Sequence, residues 1–165
     1  MAPIPASPPP VTGQAPQISQ ARYGFAGMAI GANLSDLHSI RPKATCVRRK
    51  SEIEDCTAPD QPIGGGYLAR DLTYRFVGGR LAQIRFHSSI DAFAFVVARL
   101  KHDFGEPSDI HRNDVSLDGR VFPHVAFVWR NGRSTTRMSD PNTAGQLAVE
   151  ITLDAAKAKF NAGSA

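Results

Sequence analysis

The sequence predicts an α+β domain, an antiparallel β-sheet with two main helices packed on one face. Three observations carry this expectation. One stretch, about Ser88 to Phe104, repeats its apolar residues at three- and four-residue steps. Four other stretches alternate apolar and polar residues with the period of two of a half-buried strand. Two glycine-bearing turn signals stand between alternating stretches. A chain of 165 residues, 42% hydrophobic and 21% charged, is one domain's worth of material. No run approaches the roughly 18 apolar residues of a membrane-spanning helix, so no membrane insertion is expected.

Residues 1–22 hold six of the twelve prolines and no charge before Arg22. They read as a disordered, proline-rich tether, with Pro8-Pro9-Pro10 locally stiff. The start has neither a basic n-region nor an apolar h-region, so it is no signal peptide. An Ala-Pro-rich leader behind a bare Met is what a recombinantly expressed export product looks like once its signal has been removed. That makes a periplasmic or secreted location the expectation, with an ordinary cytoplasmic N-terminus as the alternative.

The folded part is expected from Tyr23 to Ala155, with 156–165 a flexible tail. A short helix from Ser35 to Ile40 ends at Pro42 and would turn Leu34, Leu37 and Ile40 inward. Cys46 and Cys56 enclose nine residues too charged to be core, including Arg48-Arg49-Lys50. A disulfide there is worth roughly 2 to 3 kcal/mol and fits export; two reduced thiols are the alternative. Metal-ligand spacings are absent, and neither a metal nor a cofactor is expected. Gly64-Gly65-Gly66 lacks the Lys-Ser/Thr of a phosphate-cradling loop and reads as a flexible loop before a strand.

Leu68, Leu72, Tyr74 and Phe76 alternate, followed across a turn by Ala82, Ile84 and Phe86. A three-residue loop, Gly78-Gly79-Arg80, puts Phe76 opposite Ala82, Tyr74 opposite Ile84 and Leu72 opposite Phe86, so the apolar residues share a face. The helix stripe is Ile90, Phe93, Val97, Leu100 and Phe104, capped by Ser88 with Asp91 and stopped by Gly105 and Pro107. Val121, Val125, Phe127 and Trp129 form the next strand. Asn131-Gly132, a type I′ turn signal, sets Trp129 opposite Ser134, Phe127 opposite Thr136 and Val125 opposite Met138. Leu147, Val149, Ile151 and Leu153 form the last strand. Tyr74-Arg-Phe-Val-Gly-Gly-Arg80 echoes Phe127-Val-Trp-Arg-Asn-Gly-Arg133, which raises two helix-plus-hairpin units; the alternative is that hairpins with aromatics and a glycine turn all look alike.

No enzyme signature is present, so a non-enzymatic protein is expected. His38, His87, His102, His111 and His124 are scattered, and Ser, His and Asp in one chain establish no triad without geometry. The net charge of +4 and pI near 9.4 suit an acidic partner. Nucleic acid is the second reading. It is weakened because Arg22-Tyr-Gly-Phe-Ala-Gly27 departs from the RNA-recognition order and because Tyr74 and Phe76 belong to the buried face. The opposite hairpin faces carry Asp71, Thr73, Arg75, Gln83, Arg85 and His87, then Val128, Arg130, Arg133, Thr135 and Arg137. With Tyr67 on a loop, this arginine-bearing face is the candidate for binding another protein with an acidic surface; an ordinary solvated face is the alternative. A third reading is a small-molecule-binding pocket, which would gather His87, His124 and a carboxylate.

Phe25-Ala-Gly27-Met-Ala-Ile-Gly31-Ala-Asn-Leu34-Ser-Asp-Leu37, followed by a helix ending Leu100-Lys-His-Asp-Phe104-Gly105-Glu-Pro107, resembles small exported bacterial domains of the β-lactamase-inhibitor-like and outer-membrane-assembly-lipoprotein type. The resemblance spans about Tyr23 to Leu153. It implies a non-enzymatic periplasmic domain that binds another protein through its sheet face and neighbouring loops. The lipoproteins carry an acylated cysteine that residues 1–22 lack, so anchoring is not implied.

Overall fold

Strands satisfy their backbone N–H and C=O groups by pairing edge to edge, and here the alternating stretches pair into one continuous sheet. The computed structural model describes residues 23–50, 52–140 and 145–161. A small hairpin, β1 (Gly24–Phe25) and β2 (Met28–Ala29), leads to helix α1 (Leu34–Ile40). The strands β3 (Thr45–Lys50), β4 (Ile53–Thr57), β5 (Gln61–Gly64), β6 (Tyr67–Val77) and β7 (Arg80–Ser88) follow. After helix α2 (Phe93–Phe104) come β8 (Asp109–Leu117), β9 (Arg120–Arg130), β10 (Ser134–Asp140) and β11 (Leu147–Leu153), then helix α3 (Lys157–Asn161).

The sheet order is β3-β4-β6-β7-β11-β10-β9-β8, all neighbours antiparallel, with β5 pairing β6 beside this path. Helices α1 and α2 therefore each precede four consecutively paired strands of this order, and the two groups meet through their last strands, β7 and β11. The echoed hairpins are not equivalent in this order. β6–β7 closes the first group, whereas β9–β10 is the middle of the second. One buried cluster includes Leu37 of α1, Val96 and Leu100 of α2, and Tyr74, Phe76, Ile84, Phe86, Trp129, Met138 and Ile151 of the sheet.

Several sequence expectations are corrected at single residues. α1 starts one residue early, because Asn33 caps it: Asp36 Oδ2 accepts the Asn33 N–H at 2.8 Å. Ser88 does not cap α2. It is the last residue of β7, and its hydroxyl donates to the Leu68 carbonyl at 2.9 Å. Ser89 takes the cap, accepting from Asp91 N at 3.3 Å, and a 3-10 turn (Ile90–Ala92) precedes the helix. That shift turns Ala92, Val96 and Leu100 inward and leaves Ile90 exposed.

The first hairpin turns through two residues, not three. Gly78 and Gly79 both have positive φ, 57° and 74°, the type I′ requirement that glycine meets without strain. Val77 pairs Arg80 and Phe76 pairs Leu81; a bulge at Ala82 then restores the expected Tyr74–Ile84 pairing. A second irregularity around Asp71, at φ 53°, reverses the alternation upstream, so Ala69 is buried and Leu68 exposed. The second hairpin is longer than expected, with Arg130 opposite Thr135, Trp129 opposite Thr136 and Phe127 opposite Met138. Only Gly132 has positive φ there. Asn131 instead accepts the backbone N–H groups of Arg133 and Ser134 on Oδ1, at 3.0 and 2.8 Å, and an Asx turn replaces the type I′ turn.

Gly64-Gly65-Gly66 is a tight turn, not a slack loop. A Cβ on Gly64 would lie 2.7 Å from the Phe95 ring, so glycine is what lets the β5–β6 hairpin pack on α2. Val121, expected inside, is exposed near the far end of the β8–β9 hairpin. At the other end of the chain the expected tail is partly built. A 3-10 turn (Asp154–Ala156) with Ala156 buried continues into α3, because Lys159 reaches Glu52 at 3.0 Å and Phe160 finds a cation to pack on. The expected tether 1–22 and the tail beyond Asn161 lie outside the described residues.

Candidate functional site

Strand alternation places the predicted polar residues on the sheet face away from the buried cluster. Cross-strand pairing then decides which of them meet. In register on that face, Asp55 stands opposite Arg75, Arg75 opposite Gln83, and Gln83 opposite Thr152. One step along, Thr73 stands opposite Arg85, Arg85 opposite Glu150, and Glu150 opposite Arg137. The two rows have different fates.

The first row is structural. Arg75 makes a bidentate contact with Asp55, Nε to Oδ1 at 2.6 Å and Nη2 to Oδ2 at 2.9 Å, and Arg49 adds a third hydrogen bond to the same carboxylate at 3.3 Å. The Arg75 hydrogen bond holds the Asp55 carboxyl below its ordinary range, and Asp55 in turn raises the Arg75 guanidinium. The Phe160 ring of α3 lies 5.4 Å from the same guanidinium, so the C-terminal helix covers this end of the face. Gln83 and Thr152 are buried; Gln83 Nε2 donates to Thr152 Oγ1 at 3.3 Å, which donates to Glu150 Oε1 at 3.1 Å. Arg75 is thus engaged by Asp55 and only partly exposed, and Gln83 is buried. For Arg75, the cover comes from a helix in the expected tail.

The second row stays open. Arg85 and Arg137 are exposed on either side of the half-buried Glu150, and among the described residues neither guanidinium has an ion pair or hydrogen bond. They line a shallow groove of about 270 Å³ with His87, Ser139, Ala148 and Glu150. Across this face Val128, with Arg137 and Asp109 as its cross-strand neighbours, is buried rather than exposed.

The remaining predicted residues scatter. Arg130 is tied to Asp109 in an ion pair at the side of the sheet. Arg133 belongs to the β9–β10 loop and lines a separate cavity of about 570 Å³ with Arg80, Ile30 and Leu153. Tyr67 stands with helix α2, its ring 6.2 Å from Phe95, and not on the open face. Cys46 and Cys56 are directly opposite on β3 and β4 and joined in a disulfide.

The histidine expectation is answered by position. His87, 3.5 Å from Asp71, lines the groove of Arg85 and Arg137, whereas His124 lines another cavity, of about 540 Å³, with Asp140, Arg112 and Phe93. Burial raises the Asp140 carboxyl, with His124 pulling the other way. The two histidines thus do not share one pocket. No group of three or more His, Cys, Asp or Glu able to hold a metal occurs among the described residues. No helix among them is long and apolar enough to cross a membrane.

Comparison with protein-family models, curated proteins and solved structures returns no match.

The sequence does not single out Glu150, although its place on the polar side of the last strand is legible. What makes it central is that β11 runs between β7 and β10, which sets Glu150 beside Arg85 from a distant part of the chain.

Proposed function

We propose that this chain is a non-enzymatic protein-binding domain of an exported protein, and that Arg85 and Arg137 on the open sheet face are its contact residues for an acidic partner. The observation that carries this reading is the Arg85–Glu150–Arg137 row, two unpartnered guanidiniums held by three adjacent strands. Their backbones are about 10 Å apart across one intervening strand. Each offers five donors in a planar fork, suited to bidentate capture of a carboxylate, and Glu150 between them lessens their mutual repulsion. Export rests on the Cys46–Cys56 disulfide, since such bonds persist in oxidising compartments. The reading keeps the resemblance to exported inhibitor-like and assembly-lipoprotein domains, with α1 and α2 covering one sheet face; Leu37, Val96 and Leu100 in a shared cluster support that arrangement.

The test compares the wild-type chain with Arg85→Glu/Arg137→Glu, both immobilised, in capture from bacterial periplasmic extract. Arg75 is left intact because reversing it would break the Asp55 pair and confound binding with folding. The expected result is an acidic protein held by the wild type and lost from the variant, with equal circular dichroism. Identical captured sets, or none from the wild type, overturn the reading.

A further inference from the structure

The two outer strands of the sheet are built differently. β3 ends in Arg48-Arg49-Lys50, has no acidic residue, and is irregular between Arg48 and Lys50 in its pairing with β4. A second copy approaching that edge would bring the same three charges, so β3 is guarded against self-pairing. β8 has no such guard. It pairs with β9 in unbroken register from Asp109–Val128 to Leu117–Arg120, contains no proline, and is exposed from Asp109 to Asp114. Its other side carries no strand among the described residues.

We propose that β8 is the interface of a homodimer, pairing antiparallel with β8 of a second copy about Asn113. The register follows from symmetry and charge. If the helix-bearing sides of both copies lie on one side of the joined sheet, a two-fold must pass through a residue, and that residue meets itself. A centre at Arg112 or Asp114 places like charges against each other, and a centre at His111 leaves Arg112 facing Ile110. A centre at Asn113 puts Arg112 of each copy opposite Asp114 of the other, giving two cross-strand ion pairs. The same register sets Ile110, 46% exposed, opposite Ser116 of the second copy; Val121, 66% exposed, is the β9 neighbour of that Ser116. Two outlying apolar side chains thereby come onto one face of the joined sheet. The interface is separate from the arginine row, so it stands or falls independently of the proposed function.

Sedimentation equilibrium of the full chain tests this. The wild type is expected to approach twice its 17.8 kDa chain mass as concentration rises. Arg112→Asp and Asp114→Arg should each weaken the dimer by about tenfold or more, because two attractive pairs become two repulsive ones. Mixing the two variants should restore a dimer, since the acidic pair of one copy then faces the basic pair of the other at both cross-strand positions. The double exchange Arg112→Asp/Asp114→Arg should dimerise like the wild type. Asn113→Cys, at the two-fold, should form an intermolecular disulfide on oxidation, and Ile110→Cys should not. A wild type that stays monomeric, a dimer indifferent to both charge changes, or a mixture that fails to restore it overturns the proposal. The cysteine pair decides the matter if a charge variant does not fold.

Discussion

The half of the sheet that ends at β3 and the half that ends at β8 secure their outer strands by different physics. β3 is stitched to β4 by the Cys46–Cys56 disulfide, and β4 to β6 by the partly buried Asp55–Arg75 pair with Arg49 beside it. Among the described residues the β8–β9 half has no disulfide, and its Arg130–Asp109 ion pair is exposed. Trp129 and Phe127 of β9 stack at 6.1 Å, with Phe93 and Phe104 of α2 against them at 5.9 and 6.5 Å, and Trp129 Nε1 donates to the Gly105 carbonyl at 2.8 Å. The charged strand β3 is held by covalent and ionic links, while β9, the strand on which β8 pairs, is held by burial of its aromatic rings. The first half should therefore respond to reductant and acid, and the second to loss of aromatic volume.

The largest effect is expected at Trp129. Trp129→Ala empties the centre of the aromatic group and leaves the Gly105 carbonyl without its donor, at a cost of about 3 to 5 kcal/mol in urea unfolding. Reduction, or Cys46→Ala/Cys56→Ala, should cost roughly 2 to 3 kcal/mol by the same measurement. Because the two sites share no partner, the losses should add to within about 0.5 kcal/mol; strong coupling would break the division into two halves.

Acid should separate the halves next. Asp55 has its carboxyl lowered in the folded state, so its stabilisation is fully present above the unfolded value, about pH 4, and is lost as pH falls through the lower folded one. Unfolding followed across that window should show a decline in the wild type that Asp55→Asn flattens, and an equal slope in both would overturn the assignment. The smallest effect belongs to Arg130→Ala, which removes the exposed pair with Asp109 and should cost about 0.2 to 1 kcal/mol, fading with added salt.

Much of this is legible in the order of residues. Alternation marks β6, β7, β9 and β11, the 3.6-residue stripe marks α2, and Gly105 marks its stop. Two of the misreadings fall where two local signals compete for one residue. Ser88 and Ser89 both qualify as caps, and only the Leu68 carbonyl, far away in the chain, assigns Ser88 to the strand. Asn131-Gly132 qualifies as a type I′ turn and as an Asx turn, and the longer register prevails. Of the predicted face, Arg85 and Arg137 remain open. Arg75 is covered by a helix in a stretch rich in alanine and lysine that carries no hydrophobic stripe, and Gln83 is buried beside Thr152 of a strand distant in the chain.

Residue order alone was enough to mark β6, β7, β9 and β11 as strands, α1 and α2 as helices, and two cysteines ten positions apart as able to join, because these depend on neighbours within a few residues. Only the packing of distant segments set β7 beside β11, Glu150 between Arg85 and Arg137, Phe160 beside Arg75, and β8 outermost among the described strands. Those are contacts between distant segments, chosen by how whole faces bury against one another, and local pattern carries no record of that choice.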